Sequence, residues 1–224
     1  MKIALGTAQF GLDYGVTNLQ GKVSFEEISK ILKFAEDKGI NTIDTASGYG
    51  AAEKNLGRYL TRNKEFRIIT KTLLLLKEGI GGKDKISLDL DQSLERLGQK
   101  SLYALLFHKG EDLLSPWGHD FYSEFLNLKK LGKIKKIGVS VYSPRELKLI
   151  LDKYRIDLVQ LPLSIFDQRF IPLIEKLKVN NIEIHVRSAF LQGVLLDWSK
   201  LPLYFEKFKN YFSDYESLLE EEKI

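Results

Sequence analysis

Four side chains in a sequence of 224 residues could act together as an acid, a phenol, an amine and an imidazole: Asp44, Tyr49, Lys71 and His108. Each follows a short apolar run. Asp44 closes Asn41-Thr42-Ile43-Asp44 with Tyr49 just beyond it, Lys71 closes Ile68-Ile69-Thr70-Lys71, and His108 follows Leu105-Leu106-Phe107. A free phenol ionises near pH ~10, and a neighbouring ammonium favours its ionised form, so Tyr49 beside Lys71 would be a proton donor. Asp44 can hold such an ammonium in place, and an imidazole can hydrogen-bond an oxygen that gains charge. Singly, each residue has an ordinary explanation. Asp44 could be a loop or capping acid, Lys71 a lysine whose stem lies along a strand end, and His108 a hydrogen-bonded histidine at the mouth of a core. Tyr49 is one of ten tyrosines. Lys71 could also serve as a Schiff-base nucleophile, but that reading gives Tyr49 no part. The joint position of the four carries the case.

The elements that would position them alternate along the whole chain. Short β-branched, apolar runs at 3–6, 41–44, 67–71, 102–107, 136–140, 158–161 and 182–187 are each followed by a polar turn and a segment of helical period. Ser24-Phe25-Glu26-Glu27 forms a capping box, with Ile28, Ile31, Leu32 and Ala35 on one face and Gly39 as the stop. Ser143-Pro144-Arg145-Glu146 opens another helix with Pro at its first position. Ile86, Leu90, Leu94 and Leu97 stripe a third, ended by Gly98. Strands separated by helices pair in parallel. Gly6-Thr7-Ala8-Gln9-Phe10-Gly11 is no dinucleotide fingerprint, and Gly79-Ile80-Gly81-Gly82 lacks the Lys-Ser/Thr of a phosphate loop. The expected fold is α/β, a (β/α)8 TIM-type barrel with seven readable strands, incomplete at its C-terminal end. It forms one domain over 1–224. In a barrel, polar residues where strands end share one pocket.

Composition narrows the function classes. The net charge is +4, from 34 basic and 30 acidic residues, with the signs interspersed, so no nucleic acid is expected as partner. No apolar stretch approaches the ~20 residues of a membrane span, and no membrane partner is expected. The chain has no Cys, which removes disulfide and thiolate chemistry and fits a cytoplasmic location. No metal site is expected.

Taken in order, the motifs resemble those of the aldo-keto reductases. The first-strand turn at Gly6–Gly11 comes first, followed by Asn41-Thr42-Ile43-Asp44-Thr45-Ala46-Ser47-Gly48-Tyr49-Gly50 and Ala52-Glu53-Lys54-Asn55-Leu56-Gly57. Next come Ser93-Leu94-Glu95-Arg96-Leu97-Gly98, running on to His108, and Ile137-Gly138-Val139-Ser140. The resemblance covers about residues 3–196. Within the family, Arg187-Ser188-Ala189-Phe190-Leu191-Gln192-Gly193 is most similar to a bacterial branch associated with surface-sugar biosynthesis. The resemblance implies reduction of an aldehyde or ketone by NADP(H), with NAD(H) as the other choice. Tyr49 would be the general acid, Lys71 and Asp44 would support it, and His108 would orient the carbonyl. It also implies cofactor contacts from Thr7, from Ser140 and Gln160 (to the carboxamide), and from Arg187, Ser188, Leu191 and Gln192 (to ribose and pyrophosphate).

The sequence departs from the family pattern in three places. Arg187 stands where an aromatic side chain often stacks on the nicotinamide, and Val141 stands where Asn is common. The chain also ends at Ile224 without the eighth strand and final helix, leaving as explanations a shortened chain, a gene cut short or a barrel completed by a partner chain; a homo-oligomer is the other expected assembly. The alternative function is therefore a non-catalytic barrel that binds cofactor weakly or not at all. Beyond residue 200, Tyr204, Phe208, Tyr211, Tyr215 and Leu218 predict a helix face packed on its own barrel, followed by an acidic Glu220-Glu221-Glu222 tail. Residues 73–76 and Ser115-Pro116-Trp117 are the expected pocket lips.

Overall fold

Each of the seven apolar runs becomes a strand of one parallel sheet in the computed structural model, which describes residues 3–60, 66–75, 81–197 and 201–222. The strands are β1 (Leu5–Gly6), β2 (Thr42–Asp44), β3 (Arg67–Lys71), β4 (Leu102–Phe107), β5 (Ile134–Ser140), β6 (Leu158–Pro162) and β7 (Glu183–Arg187). Each pairs with its neighbour in sequence, in the order β1 to β7. The intervening helices are α1 (Phe25–Asp37), α2 (Ala52–Leu60), α3 (Gly82–Leu97), α4 (Glu111–Leu114), α5 (Gly118–Lys130), α6 (Pro144–Leu151) and α7 (Ile171–Val179), and α8 (Lys209–Glu222) follows β7. Local signals set several ends. Ser24 accepts a hydrogen bond from Glu27 N at 3.2 Å, while the Glu27 carboxylate turns to Lys30, so one arm of the capping box forms. Ser143 caps α6 through Glu146 N. Gly98, at φ 63°, closes α3 in the left-handed conformation that glycine adopts freely.

Period-2 alternation sends successive strand residues to opposite faces. Ile43, Leu105, Phe107 and Val159 meet the helices, where the Phe107 and Phe125 rings stack with centroids 3.9 Å apart. Ile69, Ala104, Leu106 and Leu158 form a separate cluster on the concave face, capped by Tyr103. Side chains crossing that concave side show how far the sheet curls. Gln160 of β6 donates to Asp44 of β2 at 2.8 Å, although strands four places apart in a flat sheet would stand roughly 19 Å apart at ~4.8 Å each. The sheet is an incomplete (β/α)8 barrel with β1 and β7 at its margins. At the C-terminal ends of the strands these margins are joined by loops: Val16 N donates to Gln192 O at 3.1 Å, and Gly193 lies so close that a Cβ there would be 2.2 Å from Thr17 Oγ1.

Two expectations are corrected. The chain beyond residue 200 does not turn its predicted stripe inward: Tyr204, Phe208, Tyr211 and Leu218 are exposed, and Phe212 is the buried residue. Residues Leu203–Phe208 form a 3₁₀ segment before α8 begins. At three residues per turn it advances the helical phase by about 120° over its length relative to an α-helix. Within α8, Phe212 and Tyr215 meet the Phe166 ring edge-on. The acidic triplet is the end of α8. Of the expected lips, Leu73 is exposed, but Leu75 belongs to the core and its N–H is held by Asp112 Oδ1. Trp117 packs half-buried against the core, and residues 76, 79 and 80 lie outside the described residues.

Candidate active site

The end of β2 is the hub. The Asp44 carbonyl accepts from both Thr7 N and Thr7 Oγ1, each at 3.0 Å. The Asp44 carboxylate accepts from Lys71 Nζ at 2.8 and 2.9 Å and from Gln160 Nε2. Lys71 is 1% exposed. Its ammonium also donates to Thr45 O at 2.8 Å, so a buried cation has a counter-charge and a full set of acceptors, the condition under which burial is tolerated.

Tyr49 is placed by backbone rather than by its own contacts. Its N–H donates to Ala46 O and its carbonyl accepts from Ala52 N, and Gly50 supplies φ 56° at the turn. Gly11 makes the close approach possible: a Cβ there would stand 1.9 Å from Tyr49 O. The first-strand turn and the Asp/Tyr motif are thus halves of one contact. Lys71 Nζ lies 5.1 Å from the centroid of the Tyr49 ring, and the His108 ring meets that ring edge-on at 6.0 Å. Burial, and after it the Lys71 charge, lowers the His108 pKa to about 4. The imidazole is therefore neutral at pH 7, with one N–H to give and a second nitrogen that accepts. Asp44, Tyr49, Lys71 and His108 gather at one place.

The residues expected around a cofactor divide into three groups. Thr7 is fully buried and bound to Asp44. Ser140 and Gln160 are paired neighbours at the ends of β5 and β6, and Gln160 bonds Asp44 through its amide nitrogen, which leaves its oxygen as an acceptor. Arg187 closes β7. Beyond it, Ser188, Leu191 and Gln192 all have φ between 47° and 59°, left-handed values that cost non-glycine residues about 1–3 kcal/mol each.

Sequence reading missed several contributors. Tyr14 lies in the loop after β1, its pKa raised first by burial and then by the nearby Tyr49. Tyr142, just past β5, stacks with the Arg187 guanidinium at 4.0 Å. Both follow strand ends, the one signal that could have found them. The Glu53 and Arg96 motifs prove to be structural partners. Buried Glu53 accepts from Arg96 Nε at 2.8 Å and from Thr70 Oγ1 at 2.6 Å, tying α2 and α3 to β3.

The fold and the gathered residues define a barrel of the reductase type, and the chain belongs to the aldo/keto reductase family, whose model matches residues 2–221. The D-arabinose 1-dehydrogenase of Saccharomyces cerevisiae is 32% identical over 122 residues, 51% of this chain and 36% of that enzyme, so the match spans about a third of that relative's length. Among solved structures, a glycerol dehydrogenase from Gluconobacter oxydans aligns at TM-score 0.74 and 24% identity, covering 98% of this chain and 74% of that one. A Bombyx mori aldo-keto reductase in complex with NADP aligns at TM-score 0.64 and 21% identity, covering 83% and 62%. These two likenesses concern the fold. No helix among the described residues is long and apolar enough to cross a membrane.

Proposed function

We propose that the chain reduces the carbonyl group of a small molecule with hydride from NADPH, NADH being the other candidate, and that Tyr49 is the proton donor. The carrying observation is the meeting of Tyr49 with a buried, charge-balanced Lys71 and a neutral His108. The carbonyl oxygen would lie between Tyr49 and His108, where His108 donates a hydrogen bond and Tyr49 gives its proton. The Lys71 ammonium, held by Asp44 and Thr45, meets the negative charge that develops on the phenol oxygen. Such preorganised charge is a large part of catalysis of this kind.

None of these residues can supply hydride, and a chain without Cys has no thiol couple to draw on, so the donor set fits a bound hydride carrier. Ser140 and the free oxygen of Gln160 would hold the carboxamide of a nicotinamide, and the strained segment with Ser188, Leu191 and Gln192 would hold its ribose and phosphates. When bound, the nicotinamide supplies the hydride. Thr7 acts at one remove, by fixing Asp44.

Fluorescence titration with NADPH, paired with turnover of a simple aldehyde, tests the proposal. Saturable binding is expected, and Tyr49→Phe should cut turnover at least about 100-fold with NADPH affinity little changed. A folded protein that binds no NADPH would identify a non-catalytic barrel instead.

A further inference from the structure

Arg187 is a cation in the mouth of the barrel that nothing in the described chain neutralises. It pairs in register with Pro162 of β6 and reaches past that strand to the end of β5, where Nη2 donates to Val141 O at 3.1 Å. One face of its guanidinium is covered by Tyr142 at 4.0 Å. Nη1 reaches Ser188 Oγ only at 3.5 Å, and Nε is buried without a hydrogen-bond partner among the described residues. Asp167, a carboxylate that feels the Arg187 charge, is itself held by Nε and Nη2 of Arg169 at 2.8 Å each. Among the described residues Arg187 forms no ion pair.

A half-buried guanidinium without a counter-charge is costly, because the carbonyl of Val141 and the ring of Tyr142 replace only part of the hydration it gives up. Its planar fork matches the two oxygens of a carboxylate or phosphate. The side chain is also close enough to the reaction centre for its charge to act on His108. A cavity of about 600 Å³ borders Tyr142 but is not lined by Arg187, Tyr49 or His108. Its charged walls, Lys109 and Arg145 against Glu111 and Glu146, balance in sign, so the cavity by itself has no preference for an anion.

We propose that Arg187 determines specificity: the substrate is a carbonyl compound that also carries a carboxylate, which Arg187 binds while the carbonyl oxygen rests at Tyr49 and His108. The proposal rests on the reductase reading of the same site. The same oxyanion chemistry could come from the phosphates of the cofactor, and the experiment separates the two sources.

The probes are a matched pair, 4-carboxybenzaldehyde and the neutral 4-carbamoylbenzaldehyde, with the corresponding benzyl alcohols as ligands for calorimetry. Wild type should favour the carboxylate member about tenfold or more, in kcat/KM and in Kd, as a charge-assisted hydrogen bond would give. Arg187→Met should bring both ratios near one, and Arg187→Lys should restore part of the preference. Thermal unfolding of both variants reports whether they are folded. A wild-type ratio near one, failure of both alcohols to bind, or a preference that survives in Arg187→Met overturns the proposal. So does a variant whose loss, about tenfold, falls on NADPH affinity with the carboxylate preference intact, because the anion would then belong to the cofactor. Failure of the reductase reading looks different: neither aldehyde turns over and NADPH does not bind, while the alcohol titration still decides the role of Arg187.

Discussion

At the scale of single residues, charge balance around Lys71 governs both stability and chemistry. Asp44→Ala would leave an ammonium that is 1% exposed without its counter-charge, which costs about 3–5 kcal/mol in comparable buried pairs. Urea denaturation should show a loss of that order, and a loss under about 1 kcal/mol would mean that Thr45 O and water suffice. His108 makes a separate claim about pH. Its pKa falls to about 4, so the imidazole stays neutral through the range in which a free histidine, near ~6.5, would take a proton. Carbonyl reduction should therefore run level through pH 6.5, with any His108-dependent fall in kcat/KM appearing near pH 4. A limb near 6.5 that disappears in His108→Gln would contradict the burial argument.

At the scale of elements, glycines at close approaches decide more than helix propensity does. Gly57 sits inside α2, where alanine would ordinarily stabilise by about 1 kcal/mol. A Cβ there would be 1.9 Å from the backbone oxygen of Arg96, and backbone cannot swing aside as a flexible side chain can. Gly57→Ala should destabilise, by about 1–3 kcal/mol, as α2 is pushed off α3 and the Glu53–Arg96 pair is stretched. Thermal unfolding would read the sign directly, and a rise in Tm would show that the two helices have slack. Gly11 carries the same logic into the site. Its substitution by Ala should reduce turnover through Tyr49 more than it reduces NADPH affinity, measured on one preparation.

At the scale of the whole molecule, two polar arrangements hold the curl at opposite ends of the strands. At the C-terminal ends, the Asp44–Lys71–Gln160 set spans β2, β3 and β6. Toward the N-terminal ends, Glu183 of β7 accepts from Tyr103 of β4 at 2.7 Å, from Lys136 of β5, and pairs with His185 at 2.7 Å. Burial by itself would raise the Glu183 pKa, but the hydrogen bonds from Lys136, Tyr103 and His185 outweigh it and bring it down to about 2. A depressed carboxyl contributes stability that is complete above its unfolded value of 4.5 and is lost as pH falls toward about 2. Glu183→Gln should flatten the acid side of the stability profile between those limits. An unchanged acid slope would assign acid unfolding to other carboxylates.

Much of this protein can be read from the sequence by itself. The seven strands, the caps at Ser24 and Ser143 and the stop at Gly98 are legible because each depends on neighbours a few positions away: a period or a cap; Asp44, Lys71 and His108 are legible singly only as polar residues at strand ends, with Tyr49 in the loop after Asp44. The tertiary structure decided the rest. Gln160 meets Asp44 across 116 positions, and Thr7 is consumed in holding Asp44. In α8 it is Phe212 rather than Tyr211 that is buried, and Arg187 is left without a counter-charge while Glu53 and Arg96 find each other. These outcomes depend on how far the sheet curls and on which helices touch, and no local pattern in the chain encodes either.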